Sequence, residues 1–190
     1  LSNVDERLNA ALDRLSSDDF LQGRGLGNEI AFYIFDYPAD EELHMRERTL
    51  SLVDQLSHRR PGLRVAHINL FALVIEHLKR RSLLEKSFDK ERAMGTAELV
   101  KALSAPLRAD RFAQVFVDQA KPKEKDLVLV SGVGTVYPLL RSHGLLNNLQ
   151  PLMGSTPLVM FFPGTYSGDG LKLFDRIDDD NYYRAFKLVP

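Results

Sequence analysis

DLVLVSGVGTVYPLLRSHGLL, residues 126–146, is the stretch on which the fold turns. An aspartate opens onto LVLV, a run with the length and branching of a buried strand. Two glycines then allow a sharp turn, and the apolar pattern resumes at helical spacing over Thr135 to Leu149. Strand, turn and helix in that order form half of a parallel βαβ unit. Working outward, EIAFYIFDY (29–37), RVAHINL (64–70) and PLVMFFPG (157–164) read as further strands, rich in β-branched and aromatic residues. DEELHMRERTLSLVDQLSHRR (40–60) begins acidic and ends basic, as the helix dipole favours, with Leu43, Leu50, Val53 and Leu56 on one face.

The remaining segments fill in the layers. Val4, Leu8, Leu12 and Leu15 share a face of a helix over 3–15, with Ser2 and Asp5 as its start signal. Asn69 is placed to cap FALVIEHLKRR (71–81), whose Phe71, Val74 and Leu78 form a stripe. Residues 83–120 predict two or three more helices, broken near Gly95 and Pro106 and stopped by Lys121-Pro122. LKLFDRI and YYRAFKLV flank the acidic turn IDDDN and predict a terminal hairpin. The expected fold is a three-layer α/β/α sandwich with a mainly parallel sheet of four to six strands. It carries a helical insertion over about 83–120 and a C-terminal hairpin, within one domain spanning 1–190.

Composition narrows the setting. Hydrophobic residues make up 44 % of the 190 and charged ones 27 %, a balance that supports a packed core rather than disorder. The net charge of -1 supplies no field toward nucleic acid or anionic membrane, so direct nucleic-acid binding is not expected. The absence of cysteine excludes disulfides, thiolate zinc sites and cysteine nucleophiles, and suits a reducing cytoplasm. Apolar runs such as LVMFF (158–162) fall far short of the roughly 20 residues of a membrane span. LSNVDERLNAALDRL lacks the pattern of a signal peptide, so a cytoplasmic protein is expected.

In open α/β sheets, ligands sit beyond the carboxyl ends of the strands. FDYP (35–38), SGVGTVYP (131–138) and FFPGTYSG (161–168) would meet there, giving a candidate rim of Asp36, Arg46, Gly132, Gly134, Arg141, Gly164 and Tyr166. SGVGT offers backbone N–H groups to an anion but lacks the lysine and hydroxyl of a phosphate loop, so triphosphate chemistry is not expected. GRGLG (23–27) precedes its strand, the wrong context for a dinucleotide fingerprint, and tight turns alone account for such glycines. Arg46 falls on the apolar stripe between Leu43 and Leu50, where it needs a carboxylate or an anionic ligand. Asp36 is the nearest candidate in sequence. Arg141, one turn after Tyr137, reaches the same rim or is a solvated helix charge.

Other candidates are weaker. The histidines (44, 58, 67, 77 and 143) show no metal-ligand spacing, and His67 and His143 read as partly buried structural residues. Asp178, Asp179 and Asp180 lack the rest of a calcium loop. Ser131 lacks the G-x-S-x-G elbow of a nucleophile. His58-Arg59-Arg60 and Lys79-Arg80-Arg81 end helices, where the dipole explains them. No catalytic residue, metal or cofactor is assigned. Tyr166, Tyr182 and Tyr183, with the arginine of YYRAFKLV, have the composition of a protein–protein contact.

Taken in order, GLGNEIAFYIFDYP (25–38), DLVLVSGVGTVYPLLRSHGLLNNLQ (126–150), PLVMFFPGTYSG (157–168) and NYYRAFKLVP (181–190) resemble the BrxB family of bacteriophage-exclusion (BREX) defence loci. The resemblance implies a cytoplasmic role in restricting phage DNA. It also implies neighbours that are candidate partners: a PglZ-type phosphatase-fold protein, a large ATPase and an adenine-specific DNA methyltransferase. It supplies no catalytic activity and no catalytic residues. The expectation is therefore a non-catalytic assembly or adaptor subunit of a BREX complex, with a degenerate nucleotide- or phosphate-binding domain as the alternative.

Overall fold

The strand β1 (Phe32–Tyr37) is buried at every position, as its unbroken apolar run requires of a strand covered on both faces. The computed structural model to which it belongs describes residues 3–22, 31–178 and 185–190. The cap expected at Ser2, GRGLG, residues 29–30, the Asp179–Asp180 turn and the Tyr182-Tyr183-Arg184 segment lie outside the described residues.

Parallel pairing joins β1 to β4 (Leu158–Tyr166), β4 to β3 (Leu127–Ser131), and β3 to β2 (Val65–Asn69). With β5 (Leu171–Leu173), β6 (Ile177–Asp178) and β7 (Phe186–Lys187), the sheet is seven-stranded, its main path running β2-β3-β4-β1-β7. The expected mainly parallel α/β architecture is present.

The tail is arranged differently from the expected hairpin. β5 folds back antiparallel on the end of β4 and β6 pairs with β5, whereas β7 runs parallel to β1. The reason lies in β1. Without β7 its outer edge would leave buried backbone groups unpaired, and the Leu188 N–H donates to the Ile34 carbonyl at 2.8 Å.

The two faces of the sheet carry different layers. On one face, Tyr33, Phe35, Leu129 and Phe161 pack against α1 (Asn3–Leu15), α2 (Asp18–Leu21) and α3 (Glu42–Arg59). On the other, Ile34, Ile68, Val128, Val130 and Met160 meet α4 (Leu70–Arg80), α7 (Ala109–Ala120) and α9 (Ser142–Met153). The helices α5 (Leu84–Met94) and α6 (Thr96–Leu103) divide at Gly95, whose φ of 82° only glycine adopts freely. Asn69 caps α4 as expected, its Oδ1 accepting the Ala72 N–H at 3.0 Å.

Two helical readings change. The helix expected from Thr135 to Leu149 is a short α8 (Val133–Val136) and then α9. Tyr137 precedes a proline, which disfavours helical backbone, and it is extended at ψ 139°. In α3 the buried stripe is Met45, Thr49, Leu52 and Leu56, which leaves Leu43 and Leu50 73 % and 63 % exposed. A charge-rich helix offers two competing faces, and the 45-49-52-56 spacing follows the helical repeat without a gap.

Candidate functional site

Because β1, β2, β3 and β4 are mutually parallel, the turns after β1, β3 and β4 gather on one edge of the sheet, as the sequence predicts. The expected rim does not close around one space there. Asp36 and Gly164 line one depression, Arg46 and Gly132 line another, and Arg141 lies apart from both.

The first is an open groove of about 410 Å³ over the ends of β1 and β4, with Arg7, Asp36, Gly164 and Lys187 on its walls. Asp36 is buried and accepts from the Arg7 Nη2 at 2.7 Å, the Tyr166 backbone N–H at 3.0 Å and the Lys187 Nζ at 3.1 Å. Arg7 also donates to the Asp36 carbonyl at 2.6 Å and lies 4.9 Å over the Phe35 ring. Burial pushes the Asp36 carboxyl up, but the donors from Tyr166, Arg7 and Lys187 outweigh it and hold the group below the usual carboxylate range. The expected Asp36–Arg46 pair is thus replaced by Asp36–Arg7 and Asp36–Lys187, because Arg46 is not on the buried side of α3.

Packing explains the other rim residues on this side. Tyr166, read from sequence as exposed, is fully buried, and its hydroxyl donates to the Ala185 carbonyl at 2.7 Å. A Cβ on Gly164 (φ 141°) would lie 2.1 Å from the Lys172 carbonyl oxygen, so glycine is what lets β5 approach β4. A Cβ on Gly134 would meet the Phe174 ring at 2.7 Å. Arg141 sits elsewhere, 5.2 Å over the Tyr137 ring in a groove with Leu140 and Leu173.

The second depression is a cleft of about 150 Å³ between α3 and the carboxyl ends of β2 and β3. Arg46 and Gly132 line it, with Tyr37, Glu42, His67, Asn69, Ser131 and apolar Met45, Leu50 and Phe161. Its polar groups come in pairs. The Tyr37 hydroxyl donates to Glu42 Oε2 at 2.5 Å, and burial together with that carboxylate pushes the phenol far above its ordinary range. Arg46 donates through Nε to Glu42 Oε1 and through Nη2 to Thr135 Oγ1, each at 2.9 Å. His67 Nε2 lies 2.8 Å from Ser131 Oγ. Burial pushes the His67 imidazolium toward deprotonation, so at neutral pH the ring is neutral, with one donor and one acceptor nitrogen.

Strand alternation places these groups together. Val65, His67 and Asn69 point to the α3 side of β2, while Ala66 and Ile68 point into the opposite core. Asn69 and Ser131 are register partners across β2 and β3. Gly132 turns the chain at φ 74°, and a Cβ there would approach Asn69 Oδ1 to 2.7 Å. Sequence reading missed Arg7, Lys187, Glu42 and the meeting of His67 with Ser131. The visible signal is a polar side chain at His67 and at Ser131 within short, mainly apolar strands.

Among the described residues no group of His, Asp or Glu has metal-binding proximity, and no helix is long and apolar enough to cross a membrane. A family model described as "BREX protein BrxB" matches residues 66–188. A BREX protein BrxB of Bacillus cereus (strain H3081.97) is 39 % identical over 193 residues, covering 100 % of this chain and 99 % of that protein. A BREX protein BrxB of Escherichia coli O9:H4 (strain HS) is 41 % identical over 187 residues, covering 98 % and 92 %. No solved structure matches the chain.

Proposed function

The chain belongs to the BrxB family of BREX proteins, and from that premise we propose that it is the assembly or adaptor subunit of a BREX phage-defence complex. In this reading the chain is one cytoplasmic domain that docks onto another BREX protein, either the PglZ-type phosphatase-fold protein or the large ATPase.

The supporting observation is an exposed line of residues on α3, at the rim of the cleft. Leu43 and Leu50 stand two helical turns apart on one line, 73 % and 63 % exposed, with the half-exposed Arg46 between them. Single exposed leucines are ordinary. Two aligned on one helix make a surface for a partner's apolar side chains. Burying each leucine contributes roughly 1.5–3 kcal/mol.

Co-purification with each of the other BREX proteins tests the proposal. The wild type should be retained by one of them, and Leu43→Ser with Leu50→Ser should be released while remaining folded. A wild-type chain that stays alone with all of them at micromolar concentration rejects the role.

A further inference from the structure

The cleft beneath α3 holds an arrangement that docking does not call on. Ser131 Oγ and His67 Nε2 are 2.8 Å apart and both line the opening. Serine is a weak nucleophile until a neighbouring base takes its proton, and a hydroxyl hydrogen-bonded to a neutral imidazole nitrogen meets that need. Asn69, the register partner of Ser131, uses Oδ1 to cap α4, so its side-chain amide N–H groups stay available beside the Ser131–Gly132 turn. A side-chain amide is one of the donors that stabilise the oxyanion of an acyl-transfer intermediate. A half-buried histidine satisfied by serine would explain the distance alone. It does not explain why both groups face an opening with a side-chain amide alongside.

The surroundings define what would enter. About 150 Å³ is well below the roughly 300–1,000 Å³ of drug-sized ligand sites, so the space admits a small group and not a nucleotide. The Arg46 charge is offset by the Glu42 carboxylate, which leaves no net attraction for phosphate. Met45, Leu50 and Phe161 supply apolar walls.

We propose that Ser131, His67 and Asn69 form a nucleophilic site for small, uncharged acyl esters. Ser131 Oγ adds to the ester carbonyl as its proton passes to His67 Nε2. The C–O bond to the alcohol then breaks, and His67 returns the proton to the departing oxygen. Water, deprotonated by His67, next cleaves the acyl-serine to release the carboxylic acid and restore the hydroxyl. The site goes beyond the adaptor role, which shares Arg46 and Leu50 with the rim of the cleft but uses neither Ser131 nor His67.

The full chain treated with a fluorophosphonate probe and, separately, with p-nitrophenyl acetate tests this site. Intact-mass and peptide analysis should place a single adduct on Ser131, absent from Ser131→Ala. His67→Gln, which keeps a polar side chain but cannot take the proton, should label at least about 100-fold more slowly, the low end for a lost general base. A second measurement uses the absence of cysteine from the chain. Ser131→Cys carries the sole thiol, and beside His67 it should react with iodoacetamide at least about ten-fold faster than an exposed Ser104→Cys control. A folded wild type with no adduct at Ser131, equal labelling of His67→Gln, or a Ser131→Cys thiol no faster than the control would each overturn the assignment.

Discussion

The groove over β1 and β4 and the cleft over β2 and β3 lie on one sheet edge, yet they use polar groups in opposite ways. In the groove, full charges meet and are consumed: Asp36 is held by Arg7, Lys187 and the Tyr166 backbone. These bonds tie α1, the end of β4 and the tail strand to β1, so the charged depression is a fastening. In the cleft, His67 and Ser131 form an uncharged pair, and the full charges that line it, Glu42 and Arg46, offset each other. Charge density therefore marks the structural region, and a neutral hydrogen-bonded pair marks the region with chemical potential.

If that contrast is right, the largest effect comes from the groove. Asp36→Ala would strand two cations and the Tyr166 N–H, and should cost about 3 kcal/mol in urea denaturation, the scale of a broken buried ion pair. The pH response carries a sign. The folded Asp36 titrates below the unfolded carboxyl, so its contribution is complete above the ordinary carboxylate range and is lost as pH falls through the lowered folded value. Wild type should lose that contribution on acidification and Asp36→Asn should not. Superimposable pH–stability curves would erase the distinction between the two depressions.

A smaller effect comes from crowding at a turn. Gly132→Ala places a Cβ against the Asn69 cap in addition to its φ of 74°, and should cost about 2 kcal/mol in the same denaturation assay. A cost of no more than about 1 kcal/mol would mean that the Asn69 contact contributes nothing. Smaller again is Ser131→Ala, which leaves His67 Nε2 without its partner and should cost about 1 kcal/mol, a third of the Asp36 effect.

The sequence made the strands legible because each core strand is a short apolar run bounded by turn residues, and their parallel sense followed from the helices between them. Asn69 as a cap and Gly95 as a break were readable for the same local reasons. The rim was not. Asp36 is close to Arg46 in the chain, but its partners come from Arg7 and Lys187, and no local pattern specifies contacts across that separation. Gly164 and Gly134 looked like ligand loops because the backbone and the ring that crowd them, Lys172 and Phe174, belong to a later segment. His67 and Ser131 lie far apart in the chain, and only strand pairing makes them neighbours.

Helix α3 supplies the test with the smallest expected change in stability. Its spacing predicts Leu43, Leu50, Val53 and Leu56 as the core face, whereas the buried stripe is Met45, Thr49, Leu52 and Leu56, with Leu43 and Leu50 outside. Truncating two buried leucines costs several kcal/mol, since transfer energy is lost and a cavity is left behind. Exposed leucines carry neither term, so Leu43→Ser with Leu50→Ser should change unfolding free energy by less than about 0.5 kcal/mol. Leu52→Ala should cost about 2–5 kcal/mol in the same assay. A double variant as damaged as Leu52→Ala would mean that α3 is rotated from the position described. The cleft it roofs would then not exist, because Arg46 and Leu50 could no longer stand over His67 and Ser131.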